Sequence, residues 1–214
     1  MAYLPRDARR TEILEAVIAL AEAEGFGGAT TRRVAQKVGI SAGNVHHLFD
    51  SASSLKRAAF ELYAERSQQQ LDEQNDGLPP MQQLVNYLTA TALGETSGSR
   101  RLWSSAVDES ANDSEFAKIY SASALLLLER TTDLLEIISQ GKLSREQAFD
   151  AANRLMTFVI GVAASGSASL VTPPQKVLHH ISVLINFELA NTEERSGEFQ
   201  RAGEETSSVM RLDP

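Results

Sequence analysis

The sequence predicts an all-α protein of about nine helices, an N-terminal helix-turn-helix head on a helical body. Long stretches rich in Ala, Leu, Glu, Gln and Arg favour helix. Apolar residues recur at 3–4 spacing along most of the chain. Only six prolines and thirteen glycines interrupt it. At 214 residues and 43% hydrophobic content, there is enough chain for one large core or two smaller ones. No run approaches ~20 uninterrupted apolar residues, so no membrane span is expected. The opening MAYLPRDARR lacks a hydrophobic signal core, which predicts a cytoplasmic protein. With no cysteine, disulfides, thiol redox sensing and Cys-based zinc sites are excluded.

The first helix is expected from about Arg6 to Glu24, with Ile13, Ala16, Val17 and Leu20 facing inward. Gly25 to Gly28 end it, and Phe26 tucks back as a hydrophobic cap. Arg6, Arg9 and Arg10 sit at its start, either reaching phosphates or the minor groove, or forming a solvated terminus. Thr30 or Thr31 caps the second helix, leaving the other hydroxyl for a phosphate. Arg32 and Arg33 follow in its first turn, where cations oppose the helix dipole but anions are attracted. Val34, Ala35 and Val38 form its apolar face, and Gly39 ends it.

Ser41 caps a third helix whose buried side is Val45, Leu48 and Phe49. Its other side carries Ala42, Gly43, Asn44, His46 and His47, all small or hydrogen-bonding. Two helices joined by a short glycine-containing turn describe a helix-turn-helix, whose second helix enters the DNA major groove. Asn44 and His46 are the best candidates for base edges, since Asn can bond adenine in bidentate fashion. The adjacent histidines do not make a metal site: they diverge by about 100° on a helix and no third ligand lies nearby.

The segment from Arg9 to Leu62 resembles the N-terminal domain of the TetR family of transcriptional regulators. The matching residues are RRTEILEAVIALAEAEGF, ATTRRVAQKVGIS, AGNVHHLF and a fourth helix capped from Ser51. The resemblance implies a dimeric, ligand-responsive DNA-binding protein, usually a repressor. It implies DNA contact at Arg32, and a phosphate contact at His47, where relatives usually carry an aromatic residue. It also exposes a departure. Relatives commonly continue Phe-x-Ser-Lys-Glu-x-Leu, whereas here Ala52 replaces the lysine, leaving Ser53 or Lys56 for the phosphate role. The DNA-contacting set is therefore Thr31, Arg32, Ser41, Ala42, Gly43, Asn44, His46, His47 and Lys56.

Charge divides unevenly. Residues 1–60 carry eight Lys/Arg against six acids, and residues 61–214 carry twelve against 22, within a net charge of −8. A weakly basic head on an acidic body is compatible with phosphate binding, which depends on local charge.

The fourth helix, about Ala52 to Glu73, packs on the head through Leu55, Ala59 and Leu62. It then runs towards the body as the sole covalent link, so any signal is expected to pass through its position. Met81, Leu84, Val85 and Leu88 mark a fifth helix. The loop GETSGS precedes a sixth, RRLWSSAVDES. The seventh runs from about Ser114 to Ser139 and stops at Gly141. Ser144 with Gln147 makes a capping box for the eighth. Thr172 caps the ninth, with Pro173 in its first turn. Helices eight and nine are apolar around much of their girth, so each is buried on more than one side. The simplest second partner is the same pair in another copy, which predicts a two-fold homodimer, as the TetR resemblance also implies. Trp103 followed by a long helix and a small-residue eighth helix is similar to the BetI-like branch.

The expected organisation is a DNA-binding head over residues 1–62, a ligand-binding and dimerisation body over 63–191, and a disordered polar tail over 192–214. Trp103, Phe116, Tyr120, Asn153 and Met156 are candidate effector contacts in a pocket between helices five to eight, or ordinary core. The chain shows no Ser-His-Asp set, phosphate-binding glycine loop or H-E-x-x-H, so no enzyme, cofactor or metal is expected. The expected function is a homodimeric repressor that binds a palindromic operator in double-stranded DNA and is released by a small molecule. The alternative is a helical regulator that works through a protein partner with weak or no DNA binding.

Overall fold

The computed structural model describes residues 5–94, 96–167 and 172–190, and the tail expected to be disordered lies outside them. The described residues form nine α-helices and one short 3-10 turn, with no strand. Helix α1 (Arg6–Glu24) stops at Gly25, whose φ of 79° lies in the left-handed region. A Cβ there would also meet the Cβ of Ser105 at 3.0 Å, so the position favours glycine twice over. The 3-10 turn Phe26–Gly28 follows, with Phe26 fully buried.

Local capping sets the next boundaries. Thr30, not Thr31, caps α2 (Thr31–Val38): its Oγ1 accepts from the Arg33 N–H at 3.4 Å. Gly39 ends α2 at a φ of 75°, and the Ile40 N–H returns to the Ala35 carbonyl at 3.0 Å. Ser41 caps α3 (Ala42–His46). Ser51 and Ser54 cap α4 (Ala52–Asn75) reciprocally, at 3.0 Å in both directions.

The body comprises α5 (Pro80–Leu93), α6 (Ser97–Asn112), α7 (Ser114–Ser139), α8 (Arg145–Ser167) and α9 (Pro174–Ala190). Two expected boundaries move. Helix α6 begins inside the stretch expected as a loop, because Thr96 and Ser99 form a capping box. Helix α9 begins at Pro174 rather than Pro173, since the Pro173 carbonyl accepts from Lys176 and Val177, and Thr172 lies before the cap. The Ser144–Gln147 box is present in both directions, at 2.9 and 3.2 Å.

Two cores result. The first gathers Ile13 and Val17 of α1, Phe26, Val34 of α2, Val45 of α3, and Leu55 and Phe60 of α4. It also takes Leu102 and Ala106 of α6 and Phe116 of α7, so head and body residues share one apolar interior. The second joins α5, α7, α8 and α9 through residues such as Leu88, Leu135, Leu155 and Ile181. Outside it, Ile160 on α8 is 43% exposed, and on α9 Leu178 is 39%, Val183 50% and Phe187 47% exposed. No described helix is long and apolar enough to cross a membrane.

Candidate nucleic-acid interface

The reading surface is built by burying one side of a very short helix. Val45 and Phe49 enter the first core, at 1% and 4% exposure. The remaining positions, Ser41, Ala42, Gly43, Asn44, His46 and His47, are all exposed. Asn44 donates its backbone N–H to Ser41 Oγ at 3.2 Å, while its side-chain amide makes no bond within the described residues. That amide therefore keeps both its donor and its acceptor capacity for another molecule.

A brace missed by sequence reasoning holds this helix. Arg10 of α1 donates to the Leu48 carbonyl at 3.2 Å, and its guanidinium lies 4.4 Å from the centre of the Phe49 ring. Arg9 pairs with Glu12 at 2.6 Å. Of the three N-terminal arginines weighed as phosphate contacts, two are thus engaged within the head, and Arg6 is exposed. On α2, Arg33 grips both carboxylate oxygens of Glu24 at 2.5 Å and the Gly28 carbonyl at 3.1 Å. This hydrogen bonding from Arg33 holds the Glu24 carboxyl below its ordinary range. Arg32 and Lys37 are exposed, with no ion pair among the described residues. Thr31 is half-buried at the first position of α2, and Thr30 takes the cap.

Lys56 corrects the sequence-based expectation. Its Nζ lies 2.7 Å from Glu109 Oε1, and the two side chains are only 18% and 23% exposed. It fastens α4 to α6 and does not stand free for a phosphate. Arg57 does the same beside it, 3.1 Å from Asp113. Burial raises the Asp113 carboxyl, but the Phe116 N–H, Arg57 and the Glu115 N–H together hold it below its ordinary value.

These pairs belong to a stripe along one side of α6 and its C-cap residue, Asp113. Arg101 donates to the carbonyls of Glu22 and Ala23 at 2.8 and 2.7 Å, closing the end of α1. Ser105 Oγ accepts from the Phe26 N–H at 3.1 Å. Glu109 and Asp113 hold Lys56 and Arg57. The four residues recur every fourth position, the spacing of one helix face. The covalent link through α4 is thus joined by a non-covalent one: α6 seats the head directly. Glu109→Gln is expected to release Lys56. The salt dependence of duplex binding should then steepen by about one phosphate contact in a log–log salt titration.

The five candidate effector contacts do not converge. Trp103, Phe116 and Tyr120 pack around Phe60, with ring centres 5.1, 4.9 and 6.1 Å from it. Met156 is buried in the second core, and Asn153 is exposed on α8. The aromatic rings among them pack on one another in the shared head–body core. An open cleft of about 280 Å³ does lie between α1, α4 and α6, with Glu15, Tyr63, Arg66 and Ser99 among its walls.

Residues 13–59 match the sequence profile described as bacterial regulatory proteins, tetR family. The match falls within the head, which is similar to the corresponding domain of that family. The described fold agrees with solved structures of transcriptional regulators. A transcriptional regulator from Rhodococcus sp. Rha1 superposes with a TM-score of 0.72 at 22% identity, over 84% of this chain and 95% of that one. A TetR-family transcriptional regulator from Rhodococcus sp. gives 0.70 at 16% identity, over 86% and 100%. A regulator from Saccharomonospora viridis, solved in complex with choline, gives 0.74 at 16% identity, over 84% and 96%. No curated protein matches by sequence. The described residues thus share the fold of these regulators.

Proposed function

We propose that this TetR-type chain is a homodimeric transcriptional repressor that binds a palindromic operator and is released by a small molecule. The observation that carries the reading is the fully exposed polar face of α3, with the Asn44 amide unused inside the protein. Two supports accompany it. The outer faces of α8 and α9 keep Ile160, Leu178 and Val183 exposed, which suits a two-fold partner. A two-fold assembly presents two α3 helices to half-sites about one helical turn apart, or a multiple of it. DNA contacts are assigned to Thr31, Arg32, Ser41, Ala42, Gly43, Asn44, His46 and His47.

Release is assigned to a population shift between two head positions. An effector acts only through different affinities for the two arrangements. The α6 stripe supplies the route, because a displacement of α6 moves Arg101, Ser105, Glu109 and Asp113 together against the head. The choline complex of the Saccharomonospora viridis regulator supports a small-molecule effector as a class. Trp103 and Tyr120, both half-buried, are the candidate contacts nearest that route.

The second reading, a regulator acting through a protein partner, draws on the small number of unpaired cations in the head. Duplex titration against salt separates the two. A repressor is expected to lose affinity steeply with added salt as phosphate contacts release counterions. A flat, weak response would favour the protein partner. A thermal-shift screen of small molecules is expected to find compounds that raise the melting point and lower operator affinity together.

A further inference from the structure

We infer that the base pairs read by α3 in each half-site are A·T pairs, with an adenine under Asn44. The inference rests on the proposed DNA-binding function and names what that site selects. Guanine presents two acceptors to the major groove and is best read by the paired donors of Arg or Lys. The exposed face of α3 carries neither: it offers Ala42, Gly43, Asn44, His46 and His47. Adenine presents one acceptor and one donor, which the side-chain amide of Asn44 complements in a single plane. The Ala42 methyl, exposed two residues earlier at the start of the same helix, suits the thymine methyl. An imidazole N–H reaches N7 of either purine, so His46 and His47 do not favour guanine.

Cations from neighbouring elements do not fill the gap. Arg10 of α1 is held on the Leu48 carbonyl and the Phe49 ring. Arg33 is gripped by Glu24, Lys56 by Glu109 and Arg57 by Asp113. Arg6 remains at the start of α1, and Arg32 and Lys37 on α2, the helix that crosses the backbone in this motif. They serve phosphates or the outer edge of the site, and leave the central steps to α3.

The test is selection of the full-length chain on a randomised duplex library, with Asn44→Ala and Asn44→Arg selected in parallel. Position 44 is exposed, so neither variant should change the melting point, and a melting curve checks this. The parent is expected to enrich a two-fold motif with A·T pairs at the central steps of each half. Asn44→Ala should lose about 5- to 150-fold on that motif, with the preference for adenine gone at one step. Asn44→Arg should convert the same step to guanine. A motif with G·C pairs at those steps, or one unchanged by Asn44→Ala, would overturn the inference while leaving DNA binding intact. Absence of any enrichment, together with salt-independent duplex retention, would overturn the proposed function and this inference with it.

Discussion

A Val183→Asp chain is expected to sediment as a monomer and to lose roughly 100- to 10,000-fold affinity for a two-half-site operator. Val183 of α9 is half exposed, as are Leu178 and Phe187 of the same helix and Ile160 of α8. Within one subunit this substitution touches no core residue, so helicity and melting should change little. Across a two-fold seam it acts twice, placing two carboxylates where apolar groups would meet. Removing a buried Val contribution costs about 1.5–3 kcal/mol per copy, and an unpaired charge costs more. A monomer offers one α3 to the operator, and the gain from simultaneous binding at the second half-site disappears. Analytical ultracentrifugation with operator titration reads both effects. A variant that stays dimeric, or a parent that is already monomeric, would refute the assignment of α8 and α9 to the interface.

Phe60→Ala is expected to cost about 3–5 kcal/mol of stability, the usual range for an aromatic removed from a core. Phe60 is fully buried and central: its ring lies 4.9 Å from Phe116, 5.1 Å from Trp103 and 6.1 Å from both Phe26 and Tyr120. For a chain of this length that corresponds to a fall of roughly 6–20 °C in melting temperature. The location makes the result more informative than the size. Phe26 belongs to the head, whereas Trp103, Phe116 and Tyr120 belong to the body. Trp103 fluorescence, a body probe, should therefore shift at the same temperature at which the head loses helicity. A head that melted alone, with Trp103 undisturbed, would contradict a shared core.

Much of this architecture is legible because helix ends are local. Thr30, Ser41, Ser51 and the Ser144–Gln147 box satisfy orphan N–H groups within three residues of themselves, and Gly39 ends α2 by its own φ. The exposed face of α3 is equally local, since Val45 and Phe49 need only helical spacing to share a side. The Thr96–Ser99 box was legible by the same rule, but a stretch of Gly and Ser reads more readily as a loop.

What the tertiary structure alone decided is which groups are already taken. Lys56 meets Glu109 across 53 positions of sequence, and Arg10 meets Leu48 across 38. Trp103 joins Phe60 rather than Met156 because α6 packs on the head side of the body. Periodicity states which side of a helix is apolar, and a cap states where the helix begins. Neither specifies which distant helix arrives against that side, because that choice is made by the packing of all nine together. The sequence alone therefore determined the helix-turn-helix and its polar face, and packing determined which cations and rings were left for other partners.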